Sequence, residues 1–202
     1  MKKILTMISV ALMLSIFTGC LGIGEDDATT DGTQTEGKTQ QSYKDFENKD
    51  FSIIYPENWE VLNEDSFTSN VPATTVVVFR NNIKSDIFTA NLNVSQATIA
   101  EDTTSEDFAL QTLNTEKYNL IGFTELKREN YTLGEGENTI KTFLITFQGR
   151  KTVTETLVEF KQICIARNGF GIIVTAAYLP NEDQNVVYQL DQMVKAFTLK
   201  SL

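Results

Sequence analysis

Histidine is absent from all 202 residues. That removes the commonest general base and the commonest metal ligand. Cysteine occurs only as Cys20 and Cys164. Basic residues are outnumbered, with 17 Lys and Arg against 27 Asp and Glu and a net charge of −10. Such a surface repels nucleic acid and anionic headgroups, which argues against DNA, RNA or polybasic membrane docking. A long hydrophobic run is missing too. The apolar stretch Ile4 to Ile16 is shorter than the about 20 residues that span a bilayer.

That stretch nevertheless has a meaning. Lys2 and Lys3 precede it, and Phe17-Thr18-Gly19-Cys20 follows. Basic, apolar and small segments in this order make a secretory leader. The cysteine at the cut resembles the lipobox of bacterial-type lipoproteins, with Phe17 where leucine is usual. The resemblance implies that 1–19 is a signal peptide and that Cys20 becomes a lipidated N-terminus. The leader takes Lys2, Lys3 and no acid with it, so the mature charge becomes −12. Residues 20–42 are rich in Gly, Thr, Gln, Asp and Glu. They hold too little apolar surface to offset ordering and are expected to form a disordered tether, with a reach of roughly 25 Å. The expected address is the cell membrane, by a lipid anchor on its extracytoplasmic face. With Cys20 lipidated, no intrachain disulfide forms.

Residues 43–202 are expected to form one domain, large enough for a proper core. Phe51-Ser52-Ile53-Ile54-Tyr55 alternates as a strand that Pro56 stops. The turn Glu57-Asn58-Trp59 returns the single tryptophan to the sheet. Thr74 to Phe79 is β-branched and strand-like. Phe88 to Val94 alternates, with Asn91 and Asn93 expected to point outward. Thr104 to Asp107 resembles a capping box and opens a helix to about Tyr118, with Phe108, Ala109, Thr112 and Leu113 inward. Phe123 to Tyr131 is a polar edge strand. Thr139 to Gln148 and Glu155 to Arg167 are strands, joined by a turn at Gly149-Arg150-Lys151. Asn168-Gly169 is a strong hairpin signal. Phe170 to Leu179 is almost wholly apolar, so it is covered on both faces. After Pro180, Asn181 is expected to cap a last helix, whose inner stripe is Val186, Val187, Leu190, Met193, Val194 and Phe197. Phe197 to Leu202 is expected to run off the end.

The opening strand ending in Pro56-Glu57-Asn58-Trp59, the Asn168-Gly169 hairpin and the closing helix together resemble the PsbP/Mog1 group. The resemblance implies an α+β fold, an antiparallel β-sheet flanked by helices on both faces as an α/β/α sandwich. Members of that group assist photosystem II or bind a small nuclear GTPase, so it also implies docking on a partner rather than catalysis. The metal-binding histidines of some photosynthetic members are absent here.

Candidate sites are few. Cys20 is the expected lipidation site. Asn93-Val94-Ser95 and Asn130-Tyr131-Thr132 are N-glycosylation sequons, relevant where the source cell glycosylates exported chains. Cys164 and Trp59 read as core. The acidic pairs Glu101-Asp102, Glu106-Asp107 and Glu182-Asp183, with Glu135 and Glu137, lack the ligand pattern of a calcium loop. Expected cofactors, metals and catalytic residues are therefore none. The expected function is a lipid-anchored, non-catalytic accessory or binding module. It would reach the membrane through its lipid and dock, as a monomer, on a membrane or envelope protein. The alternatives are a small-molecule or ion-binding lipoprotein and, less favoured, a hydrolase that works without histidine.

Overall fold

The computed structural model describes residues 41–67, 71–136 and 139–200. The leader, Cys20 and nearly all of the expected tether lie outside them. In chain order, the described elements are β1 (Tyr43–Glu47), β2 (Phe51–Pro56), β3 (Glu60–Asn63), β4 (Thr75–Arg80) and β5 (Asn91–Thr98). There follow α1 (Ser105–Asn119), β6 (Ile121–Leu133), β7 (Ile140–Arg150), β8 (Val158–Arg167), β9 (Phe170–Tyr178), α2 (Gln184–Lys195) and β10 (Thr198–Leu199). A seven-stranded sheet runs in the order β3-β4-β5-β9-β8-β7-β6, and β1-β2-β10 form a second, three-stranded sheet. The described strand pairs are all antiparallel. The fold class is α+β.

β9 is the middle strand of the larger sheet. Its sequence FGIIVTAAY is buried from Gly171 to Tyr178. Ile172, Val174, Ala176 and Tyr178 enter one core, and Ile173 and Ala177 enter another. Alternation sends neighbouring side chains to opposite faces, so an apolar strand needs two covers. α2 contributes Val186, Leu190, Met193 and Val194 to the first core, beside Phe51 and Ile53 of the small sheet. α1 contributes Phe108, Ala109 and Leu113 to the second, against Ile145, Phe147, Phe160 and Cys164.

Local chemistry places these elements. The Thr104 hydroxyl accepts from the Asp107 amide at 3.1 Å, which caps α1. The β8–β9 turn puts Asn168 at φ 51° and Gly169 at φ 80°, a conformation that suits the twist of a two-residue hairpin. The Trp59 indole N–H donates to Gln189 Oε1 at 2.9 Å, tying the turn after β2 to α2.

Several expectations are corrected. β1 (Tyr43–Glu47) is a strand that was not among those expected; its partner β2 supplies the ladder that its own polar sequence does not advertise. Likewise Glu60–Asn63 pairs with β4. The tail returns as β10 beside β2 instead of running off. Gly149 and Arg150 continue β7. The cap of α2 is Asp183, whose carboxylate accepts from the Asn185 amide at 2.7 Å, not Asn181. Asn93 points inward, at 8 % exposure. It pairs in register with Thr175, and Thr175 with Gln162, so a row of buried polar side chains crosses the sheet.

Candidate functional site

The most deeply buried titratable groups, Glu116 and Cys164, lie beneath α1. Phe108, Thr112 and Glu116 fall four residues apart and share the inner face of the helix. Glu116 is fully buried. Neither of its carboxyl oxygens has a hydrogen-bond partner among the described residues, and the Thr112 hydroxyl stands beside the Cys164 thiol. Burial drives the Glu116 carboxyl up to about 8, against a weaker opposing pull from the Lys151 ammonium. Its carboxyl is therefore largely neutral at pH 7. Burial also pushes the Cys164 thiol up to about 12, which leaves almost no thiolate. Gln162 donates to the Thr175 hydroxyl at 2.9 Å, and the Thr142 hydroxyl donates to the Cys164 carbonyl at 2.6 Å. This cluster is closed. It holds groups that could do chemistry, in states and places that do not offer them to a substrate.

The accessible concave surface lies elsewhere. A depression of about 230 Å³ is lined by Tyr43, Ile54, Tyr188, Gln192 and Ala196. β1 and β2 bring Tyr43 and Ile54 to it, and α2 brings Tyr188. The three side chains are exposed by 39 %, 42 % and 60 %. Burial raises the Tyr43 phenol, and the Tyr188 phenol close by adds to this. Tyrosines beside an aliphatic side chain offer a large contact area with polar tips, a composition enriched at protein interfaces.

A second hollow, of about 210 Å³, opens at the β8–β9 hairpin. Ile165 and Ile172, paired across the ladder, form its floor. Phe170 and Leu199 add apolar walls, and Lys49, Arg167 and Lys200 bring positive charge to its rim.

The residues singled out in the sequence do not assemble into one site. Cys20 lies outside the described residues. Asn93 is buried in β5, and Asn130 is exposed on the edge strand β6. Cys164 and Trp59 are core residues, at 1 % and 4 % exposure. Among the described residues no cluster of acidic and cysteine side chains could hold a metal ion. Glu116 was not foreseen, although its place on the Phe108–Thr112 stripe was a usable signal. Both hollows were invisible in the sequence, because each is lined by separate chain segments.

No protein-family model and no curated protein matches the chain. Among solved structures, it is similar to the solution structure of cyanobacterial PsbP (CyanoP) from Synechocystis sp. PCC 6803. The two share 15 % identity and a TM-score of 0.51, over 83 % of this chain and 98 % of that one. It is also similar to the crystal structure of a Pseudomonas aeruginosa protein of unknown function. There the identity is 13 % and the TM-score 0.53, over 79 % of this chain and 99 % of the other. At such identities the likeness concerns the fold, and that fold is PsbP-like.

Proposed function

We propose that this PsbP-like domain is a non-catalytic accessory module, held at the extracytoplasmic face of a membrane by a lipid on Cys20 and docking on a membrane or envelope protein. One observation carries the docking half. Tyr43, Ile54 and Tyr188 are gathered and exposed in one depression, in a chain of net charge −10. Tyr43 stands two residues after Gln41, where residues 1–40 join the described domain. The surface is thus presented beside the segment read as the tether. The non-catalytic half is supported by the state of the buried cluster, where Glu116 and Cys164 are shut away from solvent and uncharged. We read the larger sheet, with α1 against one face and α2 against the other, as the α/β/α layering that suits a rigid docking platform. The leader and the Cys20 motif support the anchor.

Intact mass of the membrane-extracted protein, beside a Cys20→Ser variant, tests the anchor. The expected wild-type chain begins at a lipidated Cys20 and leaves the membrane fraction when Ser replaces it. A soluble, unlipidated wild-type product would overturn the anchor.

A further inference from the structure

The hollow at the β8–β9 hairpin has a charge that the rest of the molecule does not prepare. Its lining residues include three basic side chains, Lys49, Arg167 and Lys200, and one acid, Asp50. Two of these are already engaged. Lys200 Nζ lies 2.8 Å from Glu47 Oε2. Asp50 Oδ2 accepts from Gln96 Nε2 at 3.0 Å. The side chains of Lys49 and Arg167 make no hydrogen bond or ion pair among the described residues. Arg167 is moreover half-buried. Its stem can pack on the apolar floor while the guanidinium stays at the mouth of the hollow, placed to pair with an anion that enters.

The hollow is built, not incidental. Phe170, Ile172 and Val174 alternate onto the α2 face of β9, and Ile172 lies in register with Ile165 on one side and Gln96 on the other. α2 and the small sheet together cover this face, and the small sheet stops at its β1–β2 turn. There Asn48 Oδ1 accepts from the Asp50 and Phe51 amides, each at 2.9 Å. The Lys200 amide donates to the Asp50 carbonyl at 3.0 Å, fixing the last described residues beside that turn. The apolar floor is therefore left open at one end, under a cationic rim held by backbone hydrogen bonds.

We propose that this hollow binds a small amphipathic monoanion, a carboxylate with a short apolar body. The two unengaged cations match one negative charge, and the Asp50 carboxylate on the rim disfavours a dianion. The apolar body would lie on Ile165, Ile172 and Phe170. A volume of about 210 Å³ corresponds to about seven waters, which suits a chain of about six carbons. A soluble ligand is favoured over a headgroup of the anchoring membrane by position. Gln41 lies at the open end of the β1–β2 hairpin, and the hollow lies at its turn, roughly 17 Å along β1. This site shares no residue with the tyrosine-lined depression and does not depend on the docking function.

The test is a titration of the full-length Cys20→Ser chain with hexanoate, followed by amide chemical shifts. Saturable shifts confined to Lys49, Asp50, Gln96, Ile165 to Ile172 and Leu199 to Lys200 are expected. Hexylammonium, 1-hexanol and inorganic phosphate should each fail to saturate at these amides. Replacing both cations, as Lys49→Gln with Arg167→Gln, should weaken hexanoate binding about tenfold or more, and Arg167→Lys alone should weaken it less. If the double variant does not fold, the wild-type comparison of hexanoate with hexanol and hexylammonium decides the matter. Equal binding of hexanol, or no saturation by hexanoate, would overturn the proposal. So would binding to phosphatidylglycerol vesicles without binding to hexanoate.

Discussion

Glu116 shows how one residue can set a pH dependence for the whole domain. Its carboxyl titrates near 4.5 in the unfolded chain and at about 8 when buried in the fold. Between these values the folded state keeps a proton that the unfolded state has released. Stability is therefore highest below about pH 4.5 as far as this group is concerned, and it falls as pH rises towards 8. The slope approaches 1.4 kcal/mol per pH unit, or about that, for one proton. Absence of histidine keeps the window clear of the usual competitor. Urea unfolding between pH 5.5 and 7.5 should show this decline, and Glu116→Gln should flatten it. An equal decline in both proteins would mean that Glu116 is not its source. At this scale the sequence was partly legible. The helical stripe through Phe108 and Thr112 extends to position 116, but a charged residue type conceals an inward position.

At the scale of elements, each helix is matched to its sheet by specific contacts. α2 carries Asp191, whose carboxylate receives Lys161 Nζ from β8 at 2.7 Å and Lys195 Nζ at 2.5 Å. Burial alone would raise this carboxyl, but the hydrogen bonds from Lys161 and Lys195 outweigh it and hold the carboxyl below its ordinary range. Its stabilising effect is thus present above the ordinary carboxylate pKa and is lost as pH falls through the lower folded value. Asp191→Asn should cost about 1–3 kcal/mol near neutral pH, measured by chemical denaturation, because Lys161 is left largely buried with a weaker partner. α1 is matched to β9 through Gly171. A Cβ there would stand 2.5 Å from the Phe108 ring, so Gly171→Ala should destabilise by about 1–3 kcal/mol through overpacking. Thermal unfolding reads this directly, and an unchanged midpoint would contradict the tight contact. Strong patterns such as FGIIVTAAY, Asn168-Gly169 and the α2 stripe were readable because their burial is periodic or continuous. β1, β3 and β10 were not, since short polar strands owe their existence to partners remote in the chain.

For the whole molecule, the sequence motif at 1–20 suggests an address and the fold supplies a platform. The PsbP-like likeness was legible from Pro56 to Trp59 and from the closing hairpin and helix. The second sheet was not, because β10 closes it by pairing with β2 from the far end of the chain. The hollow at the β8–β9 hairpin takes Leu199 from β10, and neither hollow could be read from local patterns. The central proposal is that the depression lined by Tyr43, Ile54 and Tyr188 meets a protein partner at the membrane. The most direct measurement places a photoreactive residue at position 188 in the lipid-anchored chain and irradiates intact membranes. A control carries it at the exposed position of Val153, outside the depression. The account predicts one discrete adduct from position 188, absent from position 153 and lost with Cys20→Ser. No adduct from 188, or the same adducts from both positions, would contradict it.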